Sequence, residues 1–430
     1  MKKSAVSLVL VGLLAVSPAW ATNGMRMTGF GPVQNSMGGV GVGATLDAAS
    51  IVSNPAGACE LGGRIDFGST YFQPSPEYQA VGLSGEGIPP GMFVQSDGKT
   101  IKSDRAASPI PVFGMLVPID SKWTFGLGAY GVAGMGVDYA QNLYGGTTFT
   151  SYSQMRFTPG LAYKVNDQLA FGLTVNGMWA TLEWNVAGGV GQAAHPTSSA
   201  FGLGATVGVK YTPIKNLTFG AAYETKSVFQ DFALNTAARP NPFAGFPGQP
   251  ATLPGGVDKM TFDQPQVVTV GVAGRPLEWL LLAADVEWIN WSQTNGENLP
   301  AMSQNSSGVQ AWNLDWSDQV VLKIGVEVTA LPQLKLRAGY NYGKMPLNAD
   351  RAFENIAFPA VTEHHIMGGV GVSLTDKLGL NVGFMVAPST TLTGANGAPP
   401  PALGGTGQGI MSYQTSMSQF AVDGGIAYRY

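Results

Sequence analysis

Arg156 is the residue of this 430-residue chain whose type and surroundings best fit chemistry on a small molecule. It follows Gln154 by two positions, so on a strand both side chains would point to the same face. A guanidinium can bind a carboxylate through two parallel hydrogen bonds, which would make Arg156 a ligand-binding residue. The same arginine could instead form a structural salt bridge across an enclosed polar interior, which is the commoner role for such a residue, and both interpretations stay open.

Other charges recur two or four residues apart within segments of alternating character. On a strand, such spacings place both charges on one face. We expect them to form ladders of opposite charge that brace the inside of the fold: Asp285 and Glu287, Lys323 and Glu327, Lys335 and Arg337. Two acids on one face of a strand carry no specific acid–base geometry, so they are not predicted to be catalytic.

Motifs for enzymatic or metal chemistry do not occur in the sequence. The histidines, His195, His364 and His365, lack the spacing of a metal site, and there is no Gly-x-Ser-x-Gly and no ordered Ser/His/Asp set. Cys59 is the single cysteine, so an intrachain disulfide is impossible. The chain is therefore predicted to be no enzyme and to need no cofactor or metal.

The elements that must position these side chains are strands with one apolar face. Leu169, Phe171, Leu173 and Val175, for example, alternate with small or polar residues. Counting such runs and the turns between them predicts about fourteen strands. The predicted strands are residues 63–74, 108–118, 122–136, 149–164, 168–186, 197–213, 216–234, 258–276, 278–292, 314–330, 333–345, 361–375, 377–390 and 409–430. Short and long connections alternate between them, as in a barrel with short turns at one end and long loops at the other.

The N-terminus and the composition indicate which side of these strands is solvated by lipid. Residues 1–21 have a basic start, an apolar stretch and Ala-Trp-Ala before a predicted cleavage site, which is typical of a signal peptide. Only 12% of the residues are charged and mean hydropathy is +0.10, as expected when a lipid-facing row alternates with a polar one. The net charge of −4 argues against a nucleic-acid partner. We predict an all-β, antiparallel transmembrane barrel in a bacterial outer membrane, spanning residues 63–430.

Residues 22–62 differ from the rest of the chain. They are rich in Gly, Ala, Ser and Asn, contain no long alternating run, and include the turn sequence Asn54-Pro55-Ala56-Gly57. We interpret them as a compact segment that does not join the barrel wall.

Three parts of the sequence resemble the FadL family of outer-membrane transporters of long-chain fatty acids and other hydrophobic compounds. They are residues 29–58 with Asn54, Pro55 and Ala56, residues 123–139 (WTFGLGAYGVAGMGVDY), and residues 335–346 followed by Phe358-Pro359. The resemblance implies a fourteen-stranded barrel plugged by an N-terminal hatch at residues 22–62. It also implies an inward kink in the third strand, which leaves a gap in the wall for lateral release of substrate.

The resemblance also implies roles for individual residues. Gly131, Gly134 and Gly136 would permit the kink, although they could instead only accommodate tight packing of the hatch. Tyr430, the terminal aromatic residue, would be read by the barrel assembly machinery. The chain departs from the best-known members in its loops, and the resemblance assigns no position here to the basic residues that hold a fatty-acid carboxylate there, so it leaves the substrate open.

The function expected on these grounds is passive uptake of a hydrophobic small molecule, either a fatty acid, an alkane or an aromatic hydrocarbon. Apolar side chains would capture it, since each buried CH₂ contributes about 0.8 kcal/mol. The candidate ligand-binding residues besides Arg156 are Phe93, Met135, Phe149, Tyr152, Phe243 and Phe246. Release would be into outer-membrane lipid. A structural or adhesion barrel, a general diffusion porin and, less favoured, an outer-membrane lipase are the alternatives.

Overall fold

A computed structural model describes residues 23–84, 99–139, 148–186, 195–236, 238–240, 245, 247–248, 250–296, 314–394 and 410–430. The predicted signal peptide lies outside these ranges. The wall consists of fourteen antiparallel strands, which confirms the predicted fold. They are β1 (Arg64–Ser84), β2 (Ser108–Pro118), β3 (Trp123–Tyr139), β4 (Thr148–Lys164), β5 (Leu169–Val186), β6 (His195–Ile214), β7 (Leu217–Glu224), β8 (Val267–Leu277), β9 (Leu280–Ile289), β10 (Gln319–Leu331), β11 (Leu334–Gly343), β12 (His364–Ser373), β13 (Leu378–Gly394) and β14 (Ile410–Arg429).

The sheet closes on itself because β1 pairs with both β14 and β2. Arg64 lies opposite Arg429 on one side and opposite Leu116 on the other. Closure pairs the first and last strands of the wall, so neither presents a free edge to lipid, which a strand in lipid could not tolerate.

The outer surface of the barrel is apolar. Phe171 on β5 is 48% exposed and Leu203 on β6 is 63% exposed, while their neighbours Gly172 and Gly202 point inward. A water-soluble protein rarely exposes so large a continuous apolar surface, but a lipid bilayer solvates it.

The region between β7 and β8 differs from the prediction. The segments predicted as strands 216–234 and 258–276 stop at Glu224 and start at Val267, respectively. The intervening residues do alternate, but they form small sheets of their own: Phe232–Thr236 with Gly256–Met260, and Arg239–Pro240 with Thr252–Leu253. Their apolar face is buried over the lumen, so alternation alone could not show that these residues leave the wall.

β1 is also longer than predicted. It continues ten residues beyond position 74, to Ser84, and pairs near its end with the short strand Ile101–Lys102. Another short strand, Val228–Phe229, pairs with β6.

The hatch segment, residues 23–62, lies inside the barrel. It contains the helices α1 (Gly31–Ser36) and α2 (Ser50–Ser53) and a 3₁₀ helix, Pro55–Glu60. Short helices outside the hatch are α3 (Ser292–Asn295), a 3₁₀ helix at Ala349–Arg351, and α4 (Ala352–Asn355). No helix in the described ranges is long and apolar enough to cross a membrane.

A ring of inward-facing glycines, the glycine ring, lets the hatch segment contact the wall backbone around the lumen. A Cβ atom at any of these positions would lie less than 3.0 Å from an atom of the hatch segment. The ring comprises Gly114, Gly126, Gly172, Gly208, Gly220, Gly271, Gly325, Gly339, Gly369 and Gly425. Because even one methyl group would overlap the hatch at these places, the body of the hatch fits the wall too closely to slide past it.

Candidate functional site

An apolar cluster fills the lumen on the side of the hatch where the long loops lie. At its centre are four fully buried aromatic residues: Tyr152, Trp184, Phe262 and Phe358. The ring centroids of Tyr152 and Phe262 are 4.8 Å apart, those of Phe262 and Phe358 are 5.8 Å apart, and those of Trp184 and Phe358 are 5.0 Å apart. We call these four residues the aromatic cluster.

Each side of the aromatic cluster comes from a different element. Strands β4 and β5 supply Tyr152 and Trp184, while Phe262 and Phe358 come from the segments that connect β7 to β8 and β11 to β12. The wall therefore provides a fixed surface, and two connecting segments fold inward over it.

Amide side chains and methionine sulfurs border the aromatic cluster on the hatch side. Gln264 Nε2 donates to the Tyr152 hydroxyl at 3.1 Å and to the sulfur of Met25 at 3.3 Å. Gln154 Nε2 lies 2.9 Å from the sulfur of Met178. This border is polarizable but uncharged, and it links the aromatic cluster to the first residues of the hatch segment.

Arg156 lies deeper, in a buried ion-pair cluster with the hatch. Glu224 on β7 accepts two hydrogen bonds from Arg26 at 3.1 Å each, and two from Arg156, one of them at 2.9 Å. The salt bridge, one of the two interpretations of Arg156, is thus what the structure forms. Arg26 was not singled out from sequence, because nothing local to the hatch segment indicates an acid on a strand almost two hundred residues away.

The predicted charge ladders are present on β9, β10 and β11. Lys323 donates to Glu287 at 3.1 Å, and Glu327 accepts from Lys335 at 2.8 Å and from Arg337 at 2.9 Å. Asp285, the remaining acid of the set, accepts hydrogen bonds from three backbone N–H groups of the hatch segment: Gly41 at 2.8 Å, Val42 at 3.0 Å and Gly43 at 3.2 Å. The Asp285 bonds connect the wall to the hatch, and the other bonds connect neighbouring strands of the wall.

Strand β3 loses its pairing with its neighbour β2 beyond Tyr130, and we call this break in the strand pairing of the wall the gap. The pairing of the two strands ends at Val112 and Tyr130, although β3 remains paired with β4 up to Tyr139. Every residue from Gly128 to Val137 is buried, so this part of β3 is covered on both faces rather than facing lipid. This part of β3 therefore does not belong to the lipid-facing surface of the wall.

The hatch segment binds to the freed part of β3. Met27 N donates to Val132 O at 3.0 Å, and Gly134 N donates to Met25 O at 3.0 Å. The register of β3 and β4 shifts between Gly131 and Ala133, which marks a bulge. The hatch backbone at Met25 and Met27 therefore takes the place of the partner strand that β3 has left.

The glycines predicted for the kink lie along this freed part of β3. Gly131 faces Ile110 of β2, whose Cγ2 atom would be 2.5 Å from an added Cβ. Gly134 makes the backbone bond to the hatch, and Gly136 has φ of +154°, a conformation that favours glycine. Met135, predicted to bind ligand, is buried beside the gap.

The Asn54-Pro55-Ala56 turn ties the hatch segment to β6. Asn54 Nδ2 donates to Val42 O at 3.0 Å and to Val209 O at 3.1 Å, and its Oδ1 accepts from Ala56 N at 3.2 Å. The last bond caps the 3₁₀ helix that Pro55 begins.

The remaining predicted residues occupy different surroundings. Strand alternation places Phe149 on the face of β4 opposite to Tyr152, where the Arg105 guanidinium lies 5.1 Å from its ring centre. Burial lowers the pKa of Arg105 to about 10, while Asp138 and Glu183 favour its charged form. Phe93, Phe243 and Phe246 lie outside the described residues. Tyr430 donates its hydroxyl to Leu116 O at 3.1 Å, across the seam of the barrel.

Sequence reasoning missed three members of the aromatic cluster. Among the tryptophans near strand ends, Trp123 and Trp279 are exposed, at 41% and 49%, as suits the membrane interface, whereas Trp184 is buried. The alternation of side chains along β5 could have placed Trp184 on the lumen side, because it shares a face with the polar residues Thr174 and Asn176. Phe262 and Phe358 carry no such signal, since both come from connecting segments.

Comparison with known proteins agrees with this architecture. The model of the family described as "Outer membrane protein transport protein (OMPP1/FadL/TodX)" matches residues 8–396. No curated protein sequence matches the chain at a significant level. Solved structures of outer-membrane proteins with a similar fold include the following three. The toluene transporter TodX of Pseudomonas putida has a TM-score of 0.74, 18% identity, and coverage of 94% of this chain and 99% of that one.

The other two structures show a similar extent of likeness. A FadL homologue of Pseudomonas aeruginosa has a TM-score of 0.76 and 16% identity, with 94% of this chain and 99% of that chain covered. The toluene transporter TbuX of Ralstonia pickettii has a TM-score of 0.64 and 18% identity, with the same coverage. At these identities the likeness shows the fold.

Proposed function

Because the chain belongs to the outer-membrane transport-protein family that includes FadL and TodX, a family of channels for hydrophobic compounds, we propose that it carries an uncharged hydrophobic molecule into the outer membrane and releases it sideways through the gap between β2 and β3. The observation that carries this proposal is the freed part of β3, which is bonded to hatch residues Met25 and Met27 instead of to β2.

The surroundings of the aromatic cluster favour an uncharged ligand. The polar groups that border the aromatic cluster are a phenol, two amides and two thioethers, none of which carries charge, and the nearby carboxylate of Asp263 is paired with Lys226 at 3.0 Å. Arg156, the candidate partner for a carboxylate, is engaged by Glu224. A hydrocarbon needs no ionic partner, because burial of its CH and CH₂ groups supplies the binding free energy. TodX and TbuX are each described as toluene transporters, which agrees with a neutral ligand.

The fit of the hatch supports a lateral rather than an axial exit. An axial path would require the hatch body to leave the glycine ring and to break the bonds of Asn54 and Asp285 to wall and hatch. A lateral path leaves those contacts in place and requires local changes at residues 25–27: release of two backbone hydrogen bonds to β3 and of the ion pair of Arg26 with Glu224, which keeps Arg156 as its second partner. The lateral path therefore breaks fewer contacts, and each net hydrogen bond contributes about 0.5–1.5 kcal/mol. The filled lumen also disfavours a general diffusion porin.

A disulfide across the gap tests the proposal. A Cβ built on Gly131 lies 3.8 Å from the Cβ of Ile110, which suits a disulfide bond between β2 and β3. In a Cys59→Ser background, the variant I110C/G131C should take up toluene normally when reduced and poorly when oxidised.

The matched control is a disulfide that joins two strands away from the gap. Gly379 on β13 lies opposite Ala427 on β14, and a Cβ on Gly379 would lie 4.0 Å from that of Ala427. G379C/A427C should take up toluene equally in both redox states. Equal uptake by oxidised and reduced I110C/G131C, with the cross-link verified by mass spectrometry, would refute lateral release through this gap.

A further inference from the structure

We propose that Phe358 occupies the position at which the ring of an aromatic ligand binds, so that a ligand enters by displacing this side chain from between Trp184 and Phe262. The inference rests on the proposed function, because it assumes that a hydrophobic molecule enters the lumen, and it adds the chemical class of that molecule: an uncharged single-ring aromatic compound.

The position of Phe358 resembles that of a bound ligand. Its ring is fully buried, 5.0 Å from the Trp184 ring at an interplanar angle of 47° and 5.8 Å from the Phe262 ring at 43°. These separations lie within the 4.5–7 Å typical of attractive aromatic pairs. A loop side chain thus fills a slot whose sides come from β5 and from a different loop.

The stretch around Phe358 is buried, but few hydrogen bonds join it to the wall; Gln419 on β14 donates to the Thr362 hydroxyl at 3.2 Å. Thr150 on β4 donates to the carbonyl of Ala357 at 2.6 Å, and Phe358 N donates to Asn355 O at 3.1 Å. After it, Ala360 N bonds to Phe358 O at 2.9 Å and Val361 N to Pro359 O at 2.9 Å, two tight turns with no ladder bonds to a strand. Withdrawal of this stretch would leave both Tyr152 and Trp184 in place, because they belong to the wall.

The loop is anchored instead at its other end. Asn355 accepts from Trp316 Nε1 at 2.7 Å and donates to Leu314 O at 2.9 Å. A hinge just after Asn355 would therefore let Phe358 swing out while α4 stays docked.

The shape and polarity of the slot favour a ring over an alkyl chain. A flat ring can reproduce the tilted contacts with Trp184 and Phe262, which contribute about 0.5–1.5 kcal/mol per pair beyond simple burial. An alkane of the same carbon number gains only the burial term and loses the freedom of several rotatable bonds. The uncharged border formed by Gln264 and Met25 lies beyond Tyr152, so a small apolar substituent could extend toward the hatch.

The test compares two truncations in the purified full-length barrel. Phe358→Ala removes the internal competitor and leaves a ring-sized space, so toluene should bind at least about tenfold more tightly than to the wild type. Phe72→Ala is the matched control, because Phe72 is equally buried in the apolar lumen but belongs to β1. Binding of radiolabelled toluene and of n-heptane, which also has seven carbons, is measured by equilibrium dialysis in detergent.

The expected result is a gain for toluene in F358A that is several times larger than the gain for n-heptane and that is not seen in F72A. If F358A does not fold, Phe358→Leu keeps the apolar volume without the ring and should give a smaller gain of the same kind. Wild-type binding of toluene without any gain in F358A or F358L would overturn this inference alone, as would equal gains for both hydrocarbons. Absence of binding of either compound to any form would contradict the proposed function as well.

Discussion

Replacement of Asn54 by alanine should loosen the hatch segment without unfolding the barrel. The side chain of Asn54 is fully buried and makes three hydrogen bonds: to Val42 O and Val209 O as donor, and to Ala56 N as acceptor. One bond closes a turn within the hatch, one ties the hatch to β6, and one caps the 3₁₀ helix. Alanine removes all three and leaves their partners buried.

The expected cost can be worked from these bonds. Each contributes about 0.5–1.5 kcal/mol net, and a buried partner left unpaired adds to the loss. Loss of a helix cap alone costs about 0.5–2 kcal/mol. A total of about 2–4 kcal/mol is expected, which would raise the population of the undocked and locally unfolded hatch about 30- to 700-fold, since 1.4 kcal/mol is a tenfold change.

Two measurements report this change: amide hydrogen exchange in residues 41–57, and single-channel conductance in planar bilayers. N54A should exchange faster in this segment and show frequent openings, while exchange in the wall strands stays unchanged. Asn54→Ser keeps an oxygen for the cap but cannot reach Val209 O, so it should give an intermediate result. Asn166→Ala is the neutral control, because Asn166 caps only an exposed turn. Exchange and conductance equal to the wild type in N54A would refute the assignment of Asn54 as the tether of the hatch.

Three further changes test other parts of the architecture. Glu224→Gln leaves two arginines buried without their carboxylate, whereas Arg26→Leu leaves Glu224 paired with its second arginine. Glu224→Gln should therefore lower the unfolding temperature in detergent more than Arg26→Leu does, and the reverse order would contradict the ion-pair cluster. Gly339→Ala places a methyl group on the hatch backbone and should speed hydrogen exchange in the hatch segment, whereas Gly424→Ala, which meets open space, should not; equal exchange in both would argue against the glycine ring. Deletion of Tyr430, which bonds across the barrel seam, should reduce the amount of assembled barrel in heat-modifiability gels. Normal assembly of the deletion variant would contradict the predicted role of Tyr430 in assembly.

The fold was predictable because its main signal is local. Alternation with a period of two marks the wall strands wherever one face meets lipid and the other meets the lumen, and nearly all of the strand positions follow from it. The prediction failed at residues 225–234 and 258–266, which also alternate but bury their apolar face over the lumen instead of against lipid. Period alone cannot distinguish these two apolar surroundings.

The sequence by itself determined the barrel, the separate character of residues 22–62 and the face on which Arg156 lies, because each depends on neighbours in the chain. Only the tertiary structure decided that Arg156 shares Glu224 with Arg26, since these contacts join residues 68 and 198 positions apart. It also decided that inward glycines match the hatch and that Phe358 fills an aromatic slot. Such contacts form when the sheet closes around the N-terminal segment of the chain. Closure brings together side chains that are far apart in sequence, and no local sequence pattern indicates that they will be in contact.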